Sequence, residues 1–181
     1  MIPAGTVTFL FSDIEDSSTL WDRHPTLMEP SLHRHDELVR AAFDRWNGYV
    51  FATGGDGFGV AFRSATDAIE AAVAAQQAIV SEPWPDDAVI RVRMGLHTGT
   101  AEERDGDYFG ATVSRAARVA SAARATQIVV SGRNRGADRR WSVDVHRPGQ
   151  SRVAGFPAAG IIVLGGRTGC GSGRVAAPQR S

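Results

Sequence analysis

No lysine occurs in the 181-residue chain; all 20 of its basic residues are arginine. Every fixed positive side chain is therefore a planar, delocalised guanidinium and never a compact ammonium. Cysteine is nearly absent as well. Cys170 stands alone, which excludes an intramolecular disulfide and fits a reducing, cytoplasmic setting. No apolar run approaches the ~18 residues of a transmembrane helix, so no membrane span is expected. No basic stretch followed by an apolar one opens the chain, so no secretory signal is expected either. Hydrophobic residues make up 43%, enough for an ordinary globular core and too many for a disordered chain.

A formal net charge of zero conceals a break. Residues 1–132 hold 11 arginines against 18 acidic residues, whereas residues 133–181 hold nine arginines against two acidic residues. That change of sign marks a boundary between a domain over 1–132 and a tail over 133–181. The tail has nine glycines and no sustained hydrophobic period, so it reads as divergent and weakly ordered. Residues 161–164 (IIVL) are the stretch in it able to form a short strand. Arginine-rich segments can hold nucleic acid electrostatically. Only Trp141 and Phe156 supply aromatics there, however, so nucleic acid is not an expected partner.

Residues 6–13 (TVTFLFSD) are rich in β-branched and aromatic side chains and read as a buried strand. Ser17 or Ser18 then caps a helical stretch. Pro25 and Pro30 are expected to break it into a short piece and a longer one ending at Gly48. Two apolar runs, 49–53 and 58–62, flank Gly54-Gly55-Asp56-Gly57, which is a hairpin pattern. An alanine-rich helix follows from a Ser64 cap, and 89–98 alternates apolar and polar residues as a strand does. Residues 110–124 read as a helix and 127–130 as a further strand. This order predicts an α+β fold, a ferredoxin-like split βαββαβ sheet with helices on one face.

Asp13 ends the first strand and Asp56 occupies the hairpin tip, positions that this topology makes neighbours. Mg²⁺ is typically held by one or two carboxylates plus substrate phosphates, so the pair is a candidate site for two divalent ions. Each aspartate also has an ordinary structural reading, as a helix cap or a turn former. His33 and His35 lie two apart, cannot share a helix face as ligands, and read as surface residues. His97 reads as a structural strand residue.

Four motifs, FLFSDIEDSS, GGDGFGVAF, VRMGLHTG and DGDYFGATVSRAARVASAA, run in this order through residues 5–131. Together they resemble the class III adenylate/guanylate cyclase catalytic domain, the cyclase homology domain of bacterial type. The resemblance implies conversion of ATP, with GTP as the alternative substrate, to a cyclic 3′,5′-monophosphate and pyrophosphate with two Mg²⁺ or Mn²⁺ ions. It implies a homodimer, or a heterodimer with another cyclase domain, with the site at the interface. Asp13 and Asp56 would be the metal ligands, joined by the backbone carbonyl of Ile14. Ser17 and Ser18 would lie under the triphosphate. From the partner chain, Asp107 would select adenine, Ser114 would orient the ribose, and Arg118 would bind phosphate.

The chain also departs from the family pattern. Ala52 stands where the family has a purine-selecting lysine, and Ser114 stands where it has an asparagine. The family's transition-state lysine, near the end of the domain, has no counterpart in a chain without lysine. Losing one preorganised charge-stabilising donor costs on the order of 10²–10³ in rate. The resemblance thus implies an impaired cyclase. The alternative is a domain without turnover that binds nucleotide or pairs with an intact cyclase as a regulatory partner.

Overall fold

The computed structural model describes residues 2–131 and, as backbone, the strand Gly160–Leu164. The elements are β1 (Thr6–Ile14), α1 (Ser17–Arg23), α2 (Pro25–Arg45), β2 (Tyr49–Gly54), β3 (Gly57–Phe62), α3 (Ala65–Ser81), β4 (Val92–Thr100), β5 (Glu102–Arg104), β6 (Asp107–Phe109), α4 (Ala111–Ser121), β7 (Gln127–Ser131) and β8 (Gly160–Leu164). Six strands form one sheet in the order β2-β3-β1-β4-β7-β8. The inner order β2-β3-β1-β4, with antiparallel neighbours, is the expected split βαβ arrangement. Two strands then join in parallel, β7 on β4 and β8 on β7. Residues 161–164, placed in the tail by sequence alone, are thus part of a sheet strand that begins at Gly160; the other residues of 133–181 lie outside those described.

Alternation along β1 sends Leu10 and Ile14 into the larger core, under α2 and α3. Val7 and Phe9 point the other way, into a cluster with Tyr108 and Ala116. The α+β expectation therefore holds with one correction: helices are not confined to one face. α4 crosses the opposite face because Gly95 of β4 removes the side chain that would stand in its way. A Cβ on Gly95 would lie 2.1 Å from the backbone nitrogen of Ala120.

The long helix α2 departs from expectation at both ends. Pro30 lies inside it and does not break it. The lost bond frees one carbonyl, that of Thr26, on a stretch where Thr26 and Pro30 are both exposed and water can replace the missing donor. At the other end Asn47, with φ of 56°, takes the left-handed position. Asn47 N donates to Asp44 O at 3.1 Å and Gly48 N to Phe43 O at 2.8 Å, the paired bonds of a Schellman cap. Gly48 serves packing instead, since a Cβ there would sit 2.8 Å from the Phe62 ring.

α3 begins at Ser64, whose hydroxyl accepts from Asp67 N at 3.3 Å, as its sequence predicts. The small ribbon β5–β6 was not anticipated. Its turn residues Asp105 and Gly106 have φ of 53° and 85°, the positive pair that a two-residue Asp-Gly hairpin demands.

Candidate active site

An open cleft of about 320 Å³ lies on the α4 face of the sheet, against β1, β3 and β4. Phe11 and Asp13 of β1, Gly57 and Gly59 of β3, and Arg93 of β4 line it, with Ala117, Ala120 and Ser121 of α4 along one wall. Asp13 and Arg93 are register partners across β1 and β4. Arg93 Nε donates to Asp13 Oδ2 at 2.9 Å, and Arg93 Nη2 donates to the same oxygen. The side chains remain 38% and 32% exposed, so solvent and ligands reach both.

Asp56 sits in the turn between β2 and β3, at the same end of the sheet. Gly57 brings this turn onto β1, because any Cβ there would stand 2.7 Å from the carbonyl oxygen of Ser12. Gly55, with φ of 58°, supplies the left-handed residue that reverses the chain. One carboxylate oxygen of Asp56, Oδ2, is buried and accepts no hydrogen bond. A carboxylate left unpaired and half-buried is costly for folding, which points to a purpose beyond turn formation.

This donor set fits a hard divalent cation. Among the described residues no three His, Cys, Asp or Glu side chains gather as a cage. Two carboxylates without a cage suit Mg²⁺ or Mn²⁺, which keep waters and take phosphate oxygens from their substrate. Ile14 is buried with its side chain in the core, and its backbone pairs with Val92 at the cleft end of β1.

Of the expected metal ligands, Asp13 lines the cleft and Asp56 and Ile14 do not, and the remaining expected residues lie apart from it. Ser17 and Ser18 open the seven-residue α1, where Asp16 at the cap position makes no side-chain cap bond. Asp107 is exposed on β6 and accepts from its neighbour Tyr108 N at 2.7 Å. Ser114 and Arg118 are exposed on α4, one helical turn apart. None of these three lines the cleft. Ala52 does, where a purine-selecting lysine was expected.

Two residues were misjudged or passed over by sequence. His35 is fully buried, not a surface residue, because Met28, Ser31, His35, Val39 and Ala42 form the core-facing stripe of α2. His33 is exposed, as expected. Arg93 was not singled out, although strand parity puts it on the same face as Gly95 and Gly99. A charged side chain in line with two small residues under a helix was the available signal. His97 fills the structural place expected of it: it is buried in β4, and Nδ1 lies 2.5 Å from Ser131 Oγ.

A family model described as the adenylate and guanylate cyclase catalytic domain matches residues 1–163. The chain belongs to this family. An adenylate cyclase of Schizosaccharomyces pombe is 31% identical over 154 residues, covering 71% of this chain and 9% of that protein. An uncharacterised protein of Mycobacterium tuberculosis is 37% identical over 131 residues, covering 71% of this chain and 44% of that one. This cyclase-family chain therefore spans less than half the length of those curated relatives. Among solved structures, an adenylate cyclase of Trypanosoma brucei in its monomeric state superposes with a TM-score of 0.74 at 26% identity, covering 85% of this chain and 86% of that one. An adenylate/guanylate cyclase/hydrolase from Silicibacter pomeroyi gives 0.69 at 26% identity, with 85% and 92% covered. No helix among the described residues is long and apolar enough to cross a membrane.

Proposed function

We propose that this cyclase-family domain converts ATP to 3′,5′-cyclic AMP and pyrophosphate at the Asp13–Asp56 end of the sheet, at a reduced rate. The observation that carries this reading is the meeting of Asp13, Arg93 and the Asp56 hairpin at one end of an open cleft. In the reaction the ribose 3′-oxygen bonds to the α-phosphorus and gives up its proton, while the bond to the β-phosphate breaks and pyrophosphate leaves. Divalent ions held by Asp13 and Asp56, with the Ile14 carbonyl, would supply Lewis acidity to the reacting phosphate. Arg93 is already beside Asp13, and its guanidinium can turn from that carboxylate to incoming phosphate oxygens. The loop carrying Ser17 and Ser18 would lie under the triphosphate.

The cleft holds one half of the groups the reaction needs. Asp107, Ser114 and Arg118 stand outside it and exposed, which favours their action on the cleft of a second chain in a symmetric pair. An exposed arginine on a helix face would serve a partner's phosphate without any change in its own fold. Cyclic nucleotide production from ATP or GTP with Mn²⁺, compared with Asp13→Ala, tests the reading. Product that disappears in the variant supports it, and equal yields overturn it.

Two observations favour a second reading, a nucleotide-binding or regulatory partner without turnover. Ala52 cannot hydrogen-bond a purine, and no lysine exists to neutralise the transition state. Nucleotide binding without product would select that reading. The domain limits 1–132 and 133–181, apart from the β8 strand that joins the sheet, and a cytoplasmic location belong to this proposal as well.

A further inference from the structure

Three residues that adjoin Phe58, through strand pairing, ring packing or the same hairpin, each carry a buried polar atom without a protein hydrogen-bond partner. The atoms are Ser12 Oγ, His35 Nε2 and Asp56 Oδ2. Ser12 is the register partner of Phe58. The His35 ring packs on the Phe58 ring with centroids 6.0 Å apart. Asp56 precedes Phe58 by two residues, and its charge pulls the His35 pKa slightly upward against the larger effect of burial.

The chemistry of each atom narrows what joins them. His35 Nδ1 lies 2.9 Å from Asp36 Oδ1. An ionised carboxylate can only accept, so the ring hydrogen sits on Nδ1 and Nε2 of the neutral imidazole is an acceptor. Burial keeps that ring neutral by lowering its pKa. Asp56 Oδ2 is an acceptor too, and two acceptors cannot bond to each other. One water molecule can donate a hydrogen to each and accept from the Ser12 hydroxyl, giving it the three partners typical of internal water. Simple core filling does not account for His35: leucine would fill the same space, and Nε2 is the atom such a role leaves unexplained.

We infer that Ser12, His35 and Asp56 share an internal water that fixes the Asp56 carboxylate, making His35 and Ser12 positioning residues for its metal function. This rests on the reading of Asp56 as a metal ligand given above. Oδ2 is held from behind, and the other oxygen is left for the cation. Partners of this kind, one bond removed from a metal, typically carry ten- to a hundredfold in metal affinity.

The test is Mn²⁺ alone titrated into the full chain, with free ion followed by its EPR signal. Asp56→Asn should lose binding. His35→Leu should weaken it about ten- to a hundredfold. His35→Gln, whose amide reaches the place of Nε2 and can accept there, should return to within about threefold of the parent. Ser12→Ala, a small change safe for folding, should weaken binding about threefold or more and decides the matter if His35→Leu does not fold. Parental affinity in His35→Leu, or a loss that His35→Gln fails to restore, overturns the positioning role while Asp56→Asn still shows the site. Parental affinity in Asp56→Asn overturns the metal reading and this inference with it.

Discussion

Arg93 closes on Asp13 from the adjacent strand, with Nε and Nη2 both directed at the single oxygen Oδ2. A cation approaching Asp13 meets a carboxylate already paired, and an incoming phosphate meets a guanidinium already aimed at anions. Because both side chains are about one-third exposed, the pair contributes little to stability. Exposed ion pairs are worth ~1 kcal/mol or less. Arg93→Gln is therefore expected to change urea stability by no more than about 1 kcal/mol. Cyclisation should fall on the order of 10²–10³-fold. Denaturation and product assays on the same preparation separate the two effects.

Asp56 imposes the opposite balance. Its buried Oδ2 has no protein partner, and asparagine keeps an acceptor oxygen there without the charge, so Asp56→Asn should leave metal-free stability unchanged or raise it while abolishing product formation. Mn²⁺ at about 100 times its dissociation constant should stabilise the parent chain by ~2.7 kcal/mol and leave Asp56→Asn unmoved. Thermal melts with and without the ion read both outcomes.

The proposed sharing of each cleft between two chains can be tested by complementation. Asp13→Ala and Arg118→Ala damage different halves of each cleft. Mixing the two inactive chains should restore roughly a quarter of parental activity if pairing is random and symmetric. No recovery in the mixture would count against a partner-supplied Arg118.

His35 makes stability fall on mild acidification. Burial lowers its folded pKa, against smaller upward pulls from Asp36 and Asp56, while the unfolded chain titrates at the ordinary 6.5. The unfolded state thus takes up the proton first as pH drops. The stabilisation is complete above about pH 6.5 and is lost below it, by up to ~1.4 kcal/mol per pH unit for one proton. Urea midpoints between about pH 7.5 and 5 should show this slope, and His35→Gln should flatten it.

Gly95 and Gly54 should respond oppositely to alanine. At Gly95 the new methyl would meet the α4 backbone, with Ala120 N at 2.1 Å and its Cα at 2.3 Å. Neither contact can swing aside, so Gly95→Ala should cost at least ~1–3 kcal/mol. Gly54 has nothing within 4 Å of a Cβ. Gly54→Ala should stay within about 0.5 kcal/mol of the parent. Chemical denaturation of both variants decides.

Much of the architecture could be read from local pattern. The hairpin 49–62 was visible because Gly-Asp turn chemistry between two apolar runs has few other solutions. α3 announced itself through Ser64 and its alanine period. Elsewhere local cues competed with tertiary ones. Pro30 looked like a helix breaker because sequence does not say whether the carbonyl it frees will face water. Gly48 looked like the helix stop, whereas Asn47 carries the left-handed turn and Gly48 makes room for Phe62. Residues 161–164 carried too weak a signal alone. Their strand gains its hydrogen bonds from β7, a partner 29 or more positions away.

The sequence by itself determined the family, the two aspartates at strand end and hairpin tip, and the absence of any lysine to complete the expected set. Those are matters of residue type and short spacing, which the chain carries without folding. Only the tertiary structure decided that Arg93 stands on Asp13, that α4 occupies the second face over Gly95, and that His35 turns inward onto Phe58. Each depends on which side of a strand or helix meets which neighbour. That is settled by packing between segments tens of residues apart, and no local propensity records it.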